Sequence, residues 1–291
     1  MKHAILGAGG VGGLLGTAIA SLGEDVTMIV RQERLADYPK VLTVERRTGT
    51  IIAPAKAVNT LAEPVDVLWV STRTFQLQSA LDAVHSLPRL IIPLLNGVDH
   101  MAVLRQRFGS DHVAAATIAV EAERTAPGRF IQWSPGVRLN LAASTEPVLG
   151  SIVARLREIS FTCEFVASEQ TLLWSKLCFL GPYALVTSAS GKNKGEIWAD
   201  AGWKAKLDAA VNEACEVAKA SGADIDRAKL AALFDSFPPT ALSSMSKDLA
   251  AKRPLELDGI AGSIVRGGER FGIDVPTTRS LMELVRARQA G

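Results

Sequence analysis

One lysine stands alone in a long apolar stretch of the sequence. Residues 172–188 read LLWSKLCFLGPYALVTS, and Lys176 is the only charged residue among them. One explanation is a lysine whose stem covers apolar side chains while its ammonium reaches water. Burial also lowers the pKa of an ammonium toward neutrality, and a lysine with such a pKa can donate a proton in catalysis. Lys176 is therefore a candidate catalytic residue.

Glycines near the N-terminus have a spacing that indicates a different chemistry. In AILGAGGVGGLLG, Gly7, Gly9 and Gly12 follow an apolar run and open a helical pattern. The first glycine permits a tight turn, the second lets the backbone approach a pyrophosphate, and the third allows close packing of helix on strand. The helix N-terminus adds N–H groups and positive potential. The motif predicts a dinucleotide site that consists of Gly7, Ala8, Gly9, Gly10, Val11 and Gly12.

The residue after the second predicted strand bears on the choice of cofactor. An acidic residue there would bind the ribose hydroxyls of NAD, but the segment DVTMIVRQER has Arg31 instead. A guanidinium suits the 2′-phosphate of NADP, and Arg34 is a second candidate one helical turn later. The alternative is a solvated arginine at a strand end. The sequence predicts NADP rather than NAD.

The first half of the chain has a pattern of strands and helices that could position these residues. Strand-like runs KHAILGAG, DVTMIV, VDVLWVST and RLIIPLLNG alternate with helical patterns at 11–22, 75–87 and 98–108. Such alternation is typical of a parallel sheet with crossover helices. Three further β-like runs, HVAAATIAV, RFIQWS and VRLNLAA, are expected to extend this sheet, the last two as antiparallel strands.

The second half has a different pattern. After Cys163, helical periodicity covers 169–190, 203–221, 242–252, 256–271 and 277–290, with Gly222 and Gly272 where C-caps are expected. The predicted fold class is an α/β Rossmann-like N-terminal domain followed by an all-α C-terminal domain. We expect residues 1–166 to bind NADP and residues 167–291 to hold the substrate and the catalytic residues.

Composition excludes several classes of partner. The 291 residues include 32 basic and 30 acidic side chains without a basic block, which argues against nucleic acid and favours a small-molecule substrate. Three widely spaced cysteines and four isolated histidines predict neither a disulfide nor a metal site. We expect no signal peptide and no apolar run of membrane-spanning length, and therefore a cytoplasmic location. Whether the chain forms a homodimer is left open.

Six segments together resemble one known family. They read GAGGVG, STRTFQ, LLNGV, LLWSKL, SSMSKDL and ELDGIAGSIVRGGERFGIDVPTTRSL. With them the whole chain resembles ketopantoate reductase, the NADPH-dependent 2-dehydropantoate 2-reductase of pantothenate synthesis. The C-terminal block is the most specific part of the resemblance.

The resemblance implies roles on the cofactor side. Gly7 to Gly12 are similar to the family's phosphate loop, and Arg31 is similar to its 2′-phosphate contact. Arg73 stands where the family usually has a cofactor-binding lysine, which keeps the charge but changes the donor geometry. Ala122 matches a backbone contact to the cofactor.

The resemblance to the family also implies roles for residues on the substrate side. Asn96 matches an asparagine that touches both cofactor and substrate, and Lys176 falls on the family's proton donor. Ser244 matches a residue that binds the substrate carboxylate, although a serine that caps the following helix would look the same. Glu256 matches the acidic partner at the active site. Because these residues come from both halves, we expect the active site in a cleft between the domains.

Two positions depart from the family. Its helix carries asparagines four and eight residues after the lysine, where they hold polar groups of the substrate, but this chain has Leu180 and Ala184. We therefore expect ketopantoate to be a poor substrate and a 2-oxo acid with a less polar tail to be a better one. The alternative is that Tyr183, Asn193 or Lys194 restores the missing contacts.

The predicted activity is NADPH-dependent reduction of a 2-oxo acid to a 2-hydroxy acid. One alternative is a related two-domain dehydrogenase that acts on another hydroxy acid or an amino-acid conjugate. The other is a regulator that binds NADP without turnover, which the two missing asparagines favour. Retention of Lys176, Ser244 and Glu256 together argues against the regulator.

Overall fold

The computed structural model describes residues 1–290, which divide into two compact units. The first unit comprises Met1–Leu95 and His100–Glu169. The second comprises the short segment Asn96–Asp99 and the chain from Gln170 onward. The boundary at residue 166 and the cleft between the domains stay predictions.

A five-stranded parallel sheet is the centre of the first unit. Its strands are β1 (Lys2–Leu6), β2 (Asp25–Ile29), β5 (Lys56–Val58), β6 (Val67–Val70) and β7 (Leu90–Pro93), in the order β5-β2-β1-β6-β7. Every residue of β6 and β7 is buried, as expected for parallel strands that helices cover on both faces. Pro93 ends the outermost strand β7, where a missing backbone N–H costs little.

Helices of the first unit lie between its strands along the chain. They are α1 (Gly10–Ser21), α2 (Gln32–Leu35), α3 (Leu77–Leu81), α4 (His100–Phe108) and α5 (Glu146–Glu158). The helix predicted over 75–87 is shorter than expected, a single 3₁₀ turn at Thr74–Gln76 followed by α3. Helix α5 has no counterpart in the prediction.

The remaining strands form two further sheets, so the expected extension of the parallel sheet is wrong. Their strands are β3 (Val41–Arg46), β4 (Gly49–Pro54), β8 (Ala116–Ala119), β9 (Ala122–Ala126), β10 (Arg129–Gln132), β11 (Val137–Ala142) and β12 (Phe161–Val166). One sheet has the order β4-β3-β10-β9 and the other β12-β11-β8. The unpredicted β3–β4 pair provides a partner for β10, which does not pair with β11.

The second unit is helical, as predicted. Its helices are α6 (Glu169–Ser190), α7 (Lys194–Trp198), α8 (Ala201–Ala220), α9 (Arg227–Ser236), α10 (Ser244–Ala250), α11 (Ser263–Phe271) and α12 (Pro276–Ala290). The stretch predicted as one helix over 256–271 contains a π-helical turn, Asp258–Gly262, before α11. Gly272 ends α11 in the left-handed conformation, with φ 70°.

Helix α6 runs through the core of the second unit. It is long and apolar enough, by length and composition, to cross a membrane, so the expectation that no apolar run has this length is wrong. However, 83% of its most apolar 18-residue window is buried within the protein. Its side chains pack with those of α8, α11 and α12 in one hydrophobic cluster. We therefore interpret α6 as the central helix of a globular core.

Candidate active site

The glycine loop joins β1 to α1 and has the geometry of a phosphate cradle. Gly7 has φ 104°, and a Cβ there would lie 2.8 Å from the backbone of Ser71. A Cβ on Gly12 would lie 2.2 Å from the Gly7 carbonyl oxygen, so both positions require glycine. By contrast, nothing lies within 4 Å of the Cβ position of Gly9, and no side chain caps α1. The open backbone and uncapped helix fit the pyrophosphate of a dinucleotide.

The other predicted cofactor residues lie in the same unit. Arg31 lies two residues beyond the end of β2, immediately precedes α2, and has a side chain that is 68% exposed. Arg73 is half-buried just after β6, at the start of the 3₁₀ turn. Ala122 begins β9, and its carbonyl oxygen would lie 2.2 Å from a Cβ on Gly10. The start of β9 therefore packs directly on the glycine loop.

Three predicted residues of the second unit form a hydrogen-bonded chain. The Lys176 ammonium donates to Oδ1 of Asn96 at 3.0 Å. The Asn96 amide nitrogen donates to Oε2 of Glu256 at 3.3 Å. Glu256 is buried, with 4% of its surface exposed, and Lys176 and Asn96 are half-buried. The amide of Asn96 thus connects an ammonium with a carboxylate, and all three side chains come from separate parts of the chain.

The environment of Lys176 tunes its acidity. Burial lowers the pKa of Lys176 from 10.5 to about 8, and the charge of Glu256 opposes this shift. A general acid works best when its pKa lies near the operating pH. At neutral pH Lys176 therefore carries a proton that it can give up readily.

A network that the sequence did not reveal holds Asn96 and Glu256 in place. Gly97 has φ 81°, and a Cβ there would lie 1.9 Å from the carbonyl oxygen of Gly259 in the π-helical turn. Asp99 accepts hydrogen bonds from Ser263 at 2.9 Å and from Arg266 at 2.6 Å. The segment that carries Asn96 is thereby fixed to the helices that follow Glu256.

Ser244 is available to a ligand. The residue that caps α10 is Ser243, whose hydroxyl accepts from the Ser246 backbone N–H at 3.1 Å and contacts Thr187 of α6 at 2.7 Å. Ser244 is exposed at the first helical position. The capping explanation for Ser244 is therefore wrong, because its neighbour has that role.

The face of α6 beyond Lys176 is apolar and partly aromatic. Phe179, Leu180 and Tyr183 lie three, four and seven residues after Lys176, which places them on its side of the helix. Phe179 and Leu180 are half-buried, and the Phe179 ring stacks on that of Tyr183 with centroids 5.6 Å apart. Ala184 is fully buried in the core cluster. Leu180 is therefore the better candidate of the two departures for contact with a substrate.

The polar residues that could replace the missing asparagines are engaged elsewhere. The Tyr183 hydroxyl donates to the Ala241 carbonyl at 2.8 Å. Asn193 caps α7 in a reciprocal capping box with Glu196. The Lys194 ammonium donates to the carbonyl oxygens of Asp235 and Phe237, at 3.1 and 2.6 Å. These hydrogen bonds argue against the alternative that these residues restore the lost contacts.

Among residues 1–290, no group of three or more His, Cys, Asp and Glu side chains could hold a metal ion.

Comparison with known proteins agrees with this geometry. Residues 3–143 match the family model described as ketopantoate reductase PanE/ApbA, and residues 170–289 match the model of its C-terminal domain. A 2-dehydropantoate 2-reductase from Caulobacter vibrioides is 30% identical, over 98% of each chain.

Solved structures share the fold over the whole chain. A PanE/ApbA family ketopantoate reductase from Ralstonia eutropha JMP134 has a TM-score of 0.87 and 26% identity, and covers 100% of this chain and 99% of its own. A D-mandelate dehydrogenase has a TM-score of 0.85 and 22% identity with the same coverage. The chain is an oxidoreductase and belongs to the ketopantoate reductase family.

Proposed function

We propose that the protein reduces a 2-oxo acid to a 2-hydroxy acid with NADPH. The observation that carries this proposal is the hydrogen-bonded chain of Lys176, Asn96 and Glu256. An ammonium with a pKa of about 8 beside a neutral amide can bind a ketone oxygen and protonate it.

Each side chain has a separate task in this reaction. Lys176 donates a hydrogen bond to the substrate carbonyl and gives up its proton as negative charge develops on that oxygen. Asn96 fixes the direction of the ammonium through its 3.0 Å hydrogen bond. Glu256 keeps Lys176 protonated, since its negative charge opposes the effect of burial on the Lys176 pKa. Exposed Ser244 offers a hydroxyl to the substrate carboxylate.

The first unit would hold the cofactor. Gly7 to Gly12 fit the pyrophosphate, Arg31 and Arg73 supply positive charge, and NADPH bound there supplies the hydride. A guanidinium at the end of β2, with no acidic residue in that place, favours the 2′-phosphorylated cofactor.

The substrate is an oxo acid with an apolar tail. Phe179 and Leu180 beside Lys176 offer no hydrogen bond, so a buried tail hydroxyl would lose about 1–3 kcal/mol. The D-mandelate dehydrogenase of the same fold was solved with NADH and anilino(oxo)acetate, a ligand with an aromatic tail. The fold is therefore compatible with a ligand that has an apolar tail.

A pair of substrates tests this preference. Ketopantoate and 3,3-dimethyl-2-oxobutanoate differ only in the terminal hydroxyl. We expect kcat/KM to favour the compound without the hydroxyl by about tenfold to a hundredfold. Leu180→Asn should shift the ratio toward ketopantoate by about tenfold, and Ser175→Asn, at an exposed position of the same helix, should leave it unchanged. A wild-type preference for ketopantoate above about tenfold would show an ordinary ketopantoate reductase. Binding of NADPH without oxidation by any 2-oxo acid would favour a regulator.

We place the protein in the cytoplasm, where its three free cysteines would stay reduced. Cys163, Cys178 and Cys215 are all buried, and none forms a disulfide.

A homodimer is the assembly to test by light scattering, because a structural relative from Staphylococcus aureus, 20% identical, is described as a dimeric ketopantoate reductase.

A further inference from the structure

We propose that Arg124 is a further cofactor-specificity residue, which binds the 2′-phosphate of NADPH together with Arg31 and Arg34. This inference rests on the proposed NADPH-dependent function. Neither the glycine motif nor the resemblance to the family points to Arg124.

The position of Arg124 follows from the packing of β9 on the glycine loop. Ala122 and Arg124 are two residues apart on the strand and therefore lie on the same face. The Ala122 carbonyl lies against Gly10, and the Phe130 ring of neighbouring β10 lies against Gly13. Arg124 pairs with Phe130 across the two strands. The guanidinium is thereby held beside the loop, and its Nη1 donates to the Ala8 carbonyl at 3.3 Å.

Three guanidiniums share this part of the first unit. Burial lowers the pKa of Arg124, and the positive charges of Arg34 and Arg31 lower it further. Each of the three guanidiniums carries a positive charge. Arg34 follows Arg31 within α2, one turn away from the end of β2. A Cβ on Gly128, in the turn after β9, would lie 2.4 Å from Pro39, so the segment after α2 packs on this turn. The charges of Arg31 and Arg34 therefore lie close enough to repel that of Arg124.

Little negative charge on the protein balances this cluster. The ion pair of Arg31 with Glu33 is long, 4.0 Å, and both side chains are about two-thirds exposed. Within residues 1–290, Arg124 forms no ion pair with a carboxylate. The nearby Tyr38 hydroxyl is buried and lacks a hydrogen-bond partner. A dianionic phosphate would relieve the repulsion and accept charge-assisted hydrogen bonds from several of these groups.

The 2′-phosphate of NADPH is the anionic group that fits beside Arg31, Arg34 and Arg124. In a dinucleotide fold the adenine ribose lies at the end of the second strand, where Arg31 begins α2. The pyrophosphate lies on the helix N-terminus itself. Arg124 contacts Ala8 of the loop, and the turn between β9 and β10 packs on the segment that follows α2, where the Thr43 N–H donates to the Gly128 carbonyl at 2.8 Å. Arg124 therefore lies between the glycine loop and the ribose side of the site.

Calorimetric titration of the full chain tests the assignment without turnover. The ligands are NADPH, NADH, 2′,5′-ADP and 5′-AMP, and each pair differs by one 2′-phosphate. For Arg124→Gln we expect Kd for NADPH and 2′,5′-ADP to rise about tenfold to a hundredfold, as for loss of one charged hydrogen bond, with less than twofold change for NADH and 5′-AMP. Arg129→Gln, which removes an exposed guanidinium from β10, should change none of the four values. Arg124→Lys should retain part of the affinity for NADPH.

Other results would overturn the inference. Equal losses for NADPH and NADH in Arg124→Gln would place the guanidinium on the pyrophosphate, and no loss for either would remove it from the site. Those outcomes leave the proposed function intact, since wild-type binding and reduction are measured separately. A wild-type chain that binds none of the four ligands would refute the proposed function and the inference together.

Discussion

Removing the charge of Glu256 should move the pH at which the enzyme loses activity. If protonated Lys176 is the general acid, kcat/KM falls as the pH rises through the pKa of Lys176, about 8. Glu256→Gln keeps the size of the side chain and an oxygen that can accept from Asn96. The substitution removes the negative charge that holds the Lys176 pKa up and replaces one carboxylate oxygen with an amide nitrogen.

The expected size of the shift follows from the two hydrogen bonds. Asn96 bridges the ammonium and the carboxylate by contacts of 3.0 and 3.3 Å. Across one amide, these contacts keep the two charges within about 9 Å of each other, and unit charges at that separation attract by about 2 kcal/mol at an effective dielectric constant of about 20. That energy corresponds to about 1.5 pH units. The apparent pKa of the falling limb should therefore drop from about 8 to roughly 6.5.

The assay is the pH dependence of kcat/KM, followed through NADPH absorbance with a saturating cofactor concentration. The control is Glu283→Gln, which neutralises an exposed carboxylate on α12 of the same unit. We expect the control profile to coincide with that of the wild type. An unshifted profile for Glu256→Gln, or a shift toward higher pH, would refute the role of Glu256 as the partner of a lysine acid.

Two further predictions concern other parts of the first unit. Arg31→Asp should weaken NADPH binding far more than NADH binding, because the carboxylate repels a phosphate and suits ribose hydroxyls; equal losses in titrations would place Arg31 away from the phosphate. His3 is buried, its Nδ1 accepts from Trp69 at 3.1 Å, and burial lowers the His3 pKa from 6.5 to about 4. The neutral imidazole therefore stabilises the fold fully above pH 6.5, and this contribution is lost as the pH falls from 6.5 to 4, by about 3 kcal/mol in total. Denaturant unfolding of wild type and His3→Gln at pH 7 and 4.5 measures this difference, and parallel pH dependences would contradict it.

The glycine loop could be predicted from sequence because each of its requirements is local. Gly12 must lack a side chain because of the Gly7 carbonyl, five residues away, and Gly7 must adopt a positive φ at the end of its own strand. Helix α6 was likewise predicted with its observed bounds, because one continuous apolar pattern covers it. Such signals lie within a single window of the chain.

No single window of the sequence predicts the hydrogen bonds that join Lys176, Asn96 and Glu256. Asn96 is 80 residues from Lys176 and 160 from Glu256, and only the resemblance to a family grouped them. Asp99 and Arg266 are exposed charges whose pairing depends on the close approach of Gly97 to the π-helical turn. Periodicity does not predict a contact of this kind.

The pairing of the strands could not be predicted for a related reason. Strands β8, β10 and β11 were recognised, but a strand's residues do not specify its neighbours. The partner of β10 is β3, more than 80 residues earlier, in a hairpin whose alternating exposure was not recognised. The sequence likewise does not indicate a role for Arg124, because an exposed arginine on a strand is usually a solvated side chain.

The central claim is that Lys176 protonates a 2-oxo acid as NADPH is oxidised. The most direct measurement combines NADPH absorbance with quantification of the hydroxy acid, over a panel of aliphatic and aromatic 2-oxo acids, for wild type and Lys176→Ala. We expect equal amounts of NADPH consumed and hydroxy acid formed by the wild type. In Lys176→Ala we expect kcat to fall by about 10²–10⁴, with the Kd of NADPH unchanged within about twofold. Turnover by Lys176→Ala within about tenfold of wild type, or no oxidation of NADPH with any member of the panel, would contradict the claim.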